Sequence, residues 1–222
     1  MSRFRLDENK VYRVPSFESI PWLDHGFGTR HSTDWTHAHP ATLRQIHSNS
    51  TVTVVNGGGC VGEGDAMITN RPGIRLEIRT ADCVPILMAA PEKRVVAAVH
   101  AGWRGTAKSI VAGTIGRFQQ VFDCAAEELH VAIGPAIGAC CYEVGLDVAA
   151  RFSHWRKSPS DSSVFLDLIE VNRAQVVEAG VPAGQVFADP LCTRCLEGQF
   201  HSYRRDREQA GRMVSAIMVR EI

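Results

Sequence analysis

Three side chains could act together as metal ligands or as a nucleophile with its bases: His47, Cys83 and His100. Cys83 lies in Thr80-Ala81-Asp82-Cys83-Val84-Pro85, where an apolar strand begins, and a side chain at such a strand end can face a cleft. Free cysteine is among the most buried residue types, so taken alone Cys83 reads as a core thiol. His100 closes the apolar run 94–99 and precedes Ala101-Gly102-Trp103-Arg104-Gly105, whose small residues let backbone approach a ligand closely. His47, in Leu43-Arg44-Gln45-Ile46-His47-Ser48, is flanked by polar groups that could face the same cavity. Separations of 36 residues (47 to 83) and 17 (83 to 100) match no local zinc motif, so spacing alone leaves the three unconnected. Cys192-Thr193-Arg194-Cys195 has the spacing of a redox motif or half a zinc site, but no second Cys-x-x-Cys completes four ligands, and it reads as structural. The adjacent pair Cys140-Cys141 is sterically poor for a local disulfide.

These residues must be positioned by the elements around them. Strand-like runs at 51–55, 66–69, 74–79, 84–89 and 94–100 dominate the first half, with turns at Gly57-Gly58-Gly59 and Pro91-Glu92-Lys93. Residues 106–122 spell a helix, with Val111, Ile115, Phe118 and Phe122 spaced four, three and four apart on one face. A strand at 129–133 ends in Gly134-Pro135-Ala136-Ile137-Gly138, and a short helix follows over 144–152. A second amphipathic helix spans 167–179 and stops at Gly180, and strand character returns at 186–188, 200–203 and 214–219. Strands precede, separate and follow the helices, which predicts a mixed α/β (α+β) layered sandwich and not a βαβ repeat. The simplest division is a single domain over residues 1–222, its one notable polar stretch being Ser158-Pro159-Ser160-Asp161-Ser162-Ser163. No GxGxxG joins a strand to a helix and no GxxxxGK[ST] occurs, so dinucleotide and P-loop readings drop out.

Composition narrows the function classes. With 45% hydrophobic residues the chain can fill a core. Lys plus Arg equals Asp plus Glu at 24 each, so no overall field holds nucleic acid or an anionic membrane, and any charged ligand must be gripped locally. The N-terminal residues have no apolar signal core and no run approaches the roughly 20 apolar residues of a membrane span, which predicts a cytoplasmic protein with its seven cysteines reduced.

Taken together, Arg44-Gln45-Ile46-His47-Ser48, Thr80-Ala81-Asp82-Cys83-Val84-Pro85 and Ala97-Ala98-Val99-His100-Ala101-Gly102-Trp103-Arg104-Gly105-Thr106 resemble the bacterial laccase-domain family, also called polyphenol-oxidase-like or purine nucleoside phosphorylase proteins. Further matches follow in order: Ile133-Gly134-Pro135-Ala136-Ile137-Gly138, Tyr142-Glu143-Val144-Gly145, Cys192-Thr193, Phe200-His201-Ser202-Tyr203-Arg204-Arg205-Asp206 and Gly211-Arg212. The resemblance implies an αββα fold of mixed sheets, with zinc bound by His47, Cys83 and His100. Two imidazoles and a thiolate suit Zn²⁺, and three protein ligands leave a fourth position open, as in catalytic sites. One departure is the short segment between His25-Gly26-Phe27-Gly28-Thr29-Arg30 and Arg44, where family members usually carry a longer glycine- and serine-rich stretch, so part of the substrate rim is missing or rebuilt.

The activity implied is phosphorolysis of adenosine, inosine or methylthioadenosine to free base and ribose 1-phosphate, with deamination of adenosine second. Substrate and phosphate contacts fall to Arg44, Gln45, Arg79, Arg104, Tyr203 and Arg204, with Arg44 and Arg204 first among the arginines. Asp82, beside the thiolate, is expected to orient a metal ligand, and Glu143 is a candidate proton shuttle. Tyr203 or Trp103 could stack on a purine. Asn172 and Gln175 fall in a family-like helix, though a solvated helix face explains them equally well. One competing reading is a copper oxidase of phenols: copper suits N/S ligands, but His37-Ala38-His39 is the sole His-x-His pair. Another is a cysteine hydrolase editing cell-wall precursors, with Cys83 activated by His47 or His100, and a third is a non-enzymatic metal-binding module. Monomer and homodimer both remain open.

Overall fold

The computed structural model describes residues 4–33, 35, 40–152, 155–157 and 163–221. His37-Ala38-His39 and residues 158–162 of the polar stretch lie outside them.

Two strands, Val84–Ala90 and Val95–Ala101, are buried along their whole length, as expected of a sheet covered on both faces. They pair antiparallel with Pro85 opposite His100. Successive side chains point to opposite faces. Val84, Ile86, Met88, Val95, Ala97 and Val99 therefore share one cluster with Ile110, Val111, Ile115 and Phe118 of helix Ile110–Phe122 and with Val171 and Val176 of helix Leu168–Glu178. Leu87, Ala89, Val96 and Ala98 face the other way, onto Phe27, Leu76, Ile78 and Ile217 of a second sheet. Each such large side chain contributes roughly 1.5–3 kcal/mol by leaving water, so the two-faced pattern fixes strand register as well as fold.

The first sheet has six strands, in the order Val186–Ala188, His130–Ile133, Val84–Ala90, Val95–Ala101, Ala66–Thr69, Thr51–Thr53. The second has seven, in the order Arg5–Leu6, Val11–Arg13, Leu23–Gly28, Met213–Val219, Arg75–Thr80, Ala41–Arg44, Gly59–Glu63. Parallel and antiparallel pairs occur in both, and a three-stranded sheet adds Glu143–Gly145, Ser163–Leu166 and Trp155–Lys157. This is the mixed α/β layered sandwich the sequence predicts. Both longest helices cover the six-stranded sheet, while Trp35 packs on Val11 and Ala216 of the other. Among the described residues no helix is long and apolar enough to cross a membrane.

Three local expectations are corrected. The helix expected over 106–122 is two helices, Trp103–Ala107 and Ile110–Phe122, separated by a left-handed Ser109 (φ 57°). The second must lay its apolar stripe on the sheet, while the first carries Trp103 and Arg104 to a cavity. The helix expected over 144–152 is shorter, Leu146–Ala149, because Glu143–Gly145 pairs with Ser163–Leu166 as a strand. Residues 200–203 form no strand; the Ser202 hydroxyl accepts the Arg205 N–H and starts the short helix Tyr203–Asp206. Gly180 does end its helix, at φ 103°, a conformation that glycine adopts without strain.

Candidate metal centre and its cavity

Strand alternation brings the site together. His100 has the parity of Val96 and Ala98, so its ring lies on the side between the two sheets. Asp65 comes just before Ala66–Thr69, with the parity of Met67, and the pairing of Val99 with Ala66 sets it beside His100. Cys83, one residue before Val84, continues the parity of Leu87 and Ala89. His47 follows the strand Ala41–Arg44 in a left-handed conformation, φ 56°, that costs a non-glycine residue about 1–3 kcal/mol.

Asp65 offsets that cost. Its fully buried carboxylate accepts the backbone N–H groups of Ile46 (3.3 Å), His47 (3.0 Å) and Ser48, and the Ser48 hydroxyl (2.8 Å). It also accepts Nδ1–H of His100 at 2.8 Å, which leaves Nε2 of that ring for a ligand. One nitrogen from each histidine and the Cys83 sulfur lie within 4.8 Å of one another. The sulfur stands 3.9 Å from His47 Nε2, and the two imidazoles meet edge to face at 4.9 Å between centroids.

The charges follow from these contacts. Burial pushes the Cys83 thiol up, but hydrogen bonds from His100 and His47 outweigh it and bring its pKa down to about 6. Burial pulls His100 down, but the Asp65 carboxylate and the Cys83 thiolate hold its proton and raise the pKa to about 9. Burial likewise raises Asp65, and the donors from His100 and Ser48 overcome it, taking the pKa to about 2. A thiolate, two imidazoles and a carboxylate behind one of them form a donor set that can hold a metal ion, with the character zinc or copper requires. Gly102 is needed at its place for steric reasons: a Cβ there would stand 2.9 Å from His47 Cδ2 and 3.1 Å from the Cys83 sulfur.

The triad opens into a cavity of about 670 Å³. Gln45, Arg79, Asp82, Arg104, Tyr203 and Arg204, all singled out in the sequence, line it, as do Trp103, Tyr142, Arg207 and Arg212. Arg44 does not. It sits opposite Glu63 in the strand register and forms an exposed ion pair with it at 2.7 Å. Gln45 spends its amide on the backbone of Arg79, accepting the N–H at 2.8 Å and donating to the carbonyl at 2.9 Å. Asp82 is turned to a different task from the one expected of it, since the carboxylate on the metal-ligand ring is that of Asp65. The Asp82 carboxylate accepts the Thr193 hydroxyl (2.6 Å), the Ser202 hydroxyl (3.1 Å) and the Arg204 N–H (2.6 Å). It thereby holds the loop that carries Arg204, whose guanidinium lies 5.2 Å from the Tyr142 ring centroid and donates to the Glu143 carbonyl at 2.8 Å. The Glu143 side chain takes the Ser163 hydroxyl and is outside the cavity lining. Burial raises the Tyr142 phenol to about 12, so it stays protonated and can donate. Tyr203 donates to Glu208 at 2.7 Å. Asn172 and Gln175 are not a solvated face: Asn172 is fully buried and donates to Thr106 Oγ1 at 3.1 Å, and Gln175 donates to the Thr106 carbonyl at 3.0 Å.

A layered sheet sandwich with a His, Cys, His cluster at one end defines a protein class, and family comparison identifies it. Residues 29–220 match the family described as multi-copper polyphenol oxidoreductase laccase, and the chain belongs to that family. It is 40% identical over 166 residues to a protein of Geobacillus stearothermophilus named purine nucleoside phosphorylase YlmD, covering 71% of this chain and 60% of that one. A protein named adenosine deaminase RL5, from an unknown prokaryotic organism, is 34% identical over 161 residues, covering 69% and 61%. The crystal structure of YlmD from Geobacillus stearothermophilus superposes with a TM-score of 0.90 at 29% identity over the full length of both chains. In sequence, the matched stretch thus spans about three fifths of these curated relatives.

Proposed function

We propose that residues 1–222 act as one laccase-like, zinc-dependent domain in the cytoplasm, a purine nucleoside phosphorylase. It would convert adenosine, inosine or methylthioadenosine plus phosphate to the free base and ribose 1-phosphate, with deamination of adenosine as a second activity. The observation that carries this reading is the cavity lining: Arg79, Arg104, Arg204, Arg207 and Arg212 share one cleft with aromatic rings and the His47, Cys83, His100 cluster. Among the described lining residues the one carboxylate, Asp82, is committed to Thr193, Ser202 and Arg204. Such a cleft suits a dianion bound beside a flat base, and its volume lies within the 300–1,000 Å³ range of small-molecule sites.

Zinc held by His47, Cys83 and His100 would supply a Lewis acid with a position for water or a substrate oxygen. The arginines bind phosphate by paired N–H donors and hold one of its oxygens toward the ribosyl carbon. As that oxygen bonds to the carbon, the bond to the base breaks, its electron pair leaves with the base, and the base takes up a proton. Positive charge grows on the ribose, so a fixed phosphate is worth most at that point. Trp103 and the Tyr142 ring offer apolar surface to the purine, and the protonated Tyr142 hydroxyl offers it a donor. The names of the two relatives support the phosphorylase and deaminase activities together.

Metal analysis of the purified protein, with chromatography of products from adenosine and phosphate, tests the reading. Adenine and ribose 1-phosphate are expected, with Cys83→Ala and His100→Ala folded but lacking zinc at the His47, Cys83, His100 cluster and lacking turnover. Oxygen uptake on phenols without any purine product would reverse it in favour of a copper oxidase. A second reading has its own observation: a cysteine sulfur 3.9 Å from a histidine nitrogen is also the geometry of an activated nucleophile. Active metal-free protein carrying a covalent substrate adduct at Cys83 would establish that reading instead.

A further inference from the structure

Four sulfurs converge outside the lining of the cavity. Cys140, Cys141, Cys192 and Cys195 place their Sγ atoms within 4.8 Å of one another. The Cys195 sulfur stands 3.5 Å from that of Cys140 and 3.3 Å from that of Cys141, so no single pair is selected for a disulfide. Sulfurs about 2.3 Å from a tetrahedral zinc stand roughly 3.8 Å apart, inside the spread found here. Donors reach two of the four sulfurs. The Gly138 N–H donates to the Cys192 sulfur at 3.3 Å, the Cys195 N–H donates to it too, and the Arg194 guanidinium lies on Cys141. Gly138 leaves room for the cluster, since a Cβ there would stand 3.3 Å from Cys192 Cβ and 3.4 Å from the Cys140 sulfur. The half-site Cys192-x-x-Cys195 thus finds its other two ligands in the adjacent pair, 54 and 55 residues from Cys195.

We propose that Cys140, Cys141, Cys192 and Cys195 form a second, structural zinc site, separate from His47, Cys83 and His100, that ties the turn at 138–142 to the turn at 192–195. Binding converts four thiols to thiolates, releases their protons to solvent and leaves a net charge of −2 that Arg194 partly neutralises. The two turns already meet at one end: Ala136 and Cys192 form an isolated bridge, the Thr193 N–H donates to the Ala136 carbonyl at 3.0 Å, and the Gly138 N–H donates to the Cys192 sulfur, so an ion on the four sulfurs would extend that junction to Cys140 and Cys141. What they carry explains the placement: Tyr142 lines the cavity directly after Cys141, and Thr193, directly after Cys192, donates to Asp82. The ion would hold one wall of the cavity without touching a substrate.

The test is metal stoichiometry and cobalt spectroscopy on the full-length protein. Zinc-reconstituted wild type is expected to hold two equivalents, Cys83→Ala one and Cys195→Ser one. Cobalt-loaded Cys83→Ala should keep the intense thiolate-to-cobalt charge-transfer bands of an all-sulfur tetrahedral centre, and Cys195→Ser should lose them. Because the Cys83→Ala spectrum decides the matter, poor folding of Cys195→Ser leaves the test intact. A single equivalent in wild type that disappears in Cys83→Ala overturns the second site and spares the first. Absence of those bands in cobalt-loaded Cys83→Ala, or a disulfide among the four cysteines in freshly purified protein, overturns it as well.

Discussion

Replacing Asp65 by asparagine tests whether one buried carboxylate organises the metal centre. The amide keeps a single acceptor oxygen. If it serves Nδ1–H of His100, the NH₂ group is turned toward Ser48, whose N–H and hydroxyl, like the Ile46 N–H, have Oδ2 as their acceptor. Donors then face donors inside a site where Asp65 is fully buried. Each buried group left unpaired costs about 1–3 kcal/mol, so two of them amount to roughly 2–6 kcal/mol. For a chain of this size that is a fall in Tm of about 4–24 °C. The loop at 46–48 is at the same time loosened where Ile46 and Ser48 lose their acceptor, and the His100 ring loses the charge that orients it, which together should weaken metal binding about 10–100-fold. Competition against a chromophoric chelator measures the affinity, and thermal unfolding with and without zinc measures the stability. A comparably destabilised variant in the helix-covered core, Val131→Ala, separates the effects: its Tm falls but its affinity stays within about threefold of wild type. Asp65→Asn protein that binds zinc as tightly as wild type would refute the reasoning, whatever its Tm.

The arginines should divide by position. Arg104→Ala and Arg204→Ala should raise KM for phosphate roughly 10–100-fold, the worth of a charged hydrogen bond, whereas Arg44→Ala, which removes only an exposed pair with Glu63, should leave it within about twofold. Asp82→Asn should raise the same KM while retaining zinc, because its carboxylate fixes the Arg204 loop; loss of zinc there would show that it supports the ligands instead. Gly102→Ala should lower zinc affinity at least about tenfold, since the added methyl must displace His47 or Cys83; unchanged affinity by chelator competition would dismiss the steric claim. Acid sensitivity should come in part from His25, whose Nε2 accepts the Val14 N–H and whose pKa is lowered to about 3, chiefly by burial and further by Arg13. Its folded pKa is below the unfolded 6.5, so its contribution is complete above pH 6.5 and declines as the pH falls toward 3, by about 2 kcal/mol at pH 5. His25→Gln should flatten urea-unfolding stability between pH 7 and 5, and an unchanged slope would show that other groups dominate.

The legible parts of the fold are those where one local pattern decides. The runs at 66–69, 84–89 and 94–100 are too apolar to be anything but strands covered on both sides, and Gly180 marks a helix end without tertiary help. The break at Ser109 was hidden because it falls before the stripe that begins at Val111 and neither glycine nor proline marks it, and the first helix carries Trp103 to the cavity instead. Residues 200–203 look like a strand in composition, but the Ser202 cap decides for a helix. In the site, the three motifs bring ligand atoms of His47, Cys83 and His100 within 4.8 Å of one another. Arg44 was misjudged because its direction depends on a register shift between Thr42 and Arg44 that no spacing rule reveals. Asp65 was overlooked although a signal existed: an acid directly before a buried strand, with the parity of its inward-facing residues, has to find buried donors. Arg212 falls in the family-like pair Gly211-Arg212, whereas Arg207, at the start of the 3-10 turn Arg207–Gln209, carries no such signal.

The two buried aspartates divide the labour of the site along the chain. Asp65 gathers the loop at 46–48 and the His100 ring, and Asp82 gathers Thr193, Ser202 and the N–H of Arg204. One therefore sets the geometry of the candidate ligand atoms and the other that of the wall carrying Arg204, and Cys83 is adjacent in sequence to the second while its sulfur belongs to the cluster set by the first. Asp82 itself is held at φ 84°, a strained value for a non-glycine residue, and that turn is what sends neighbouring side chains 82 and 83 to different tasks. A relaxed backbone there would swing the carboxylate away from the Arg204 loop or the sulfur away from the histidines. On the proposed function, metal binding and anion binding would be coupled at this residue, with the Cys83 sulfur beside His47 on one side and the Thr193, Ser202 and Arg204 donors on the other.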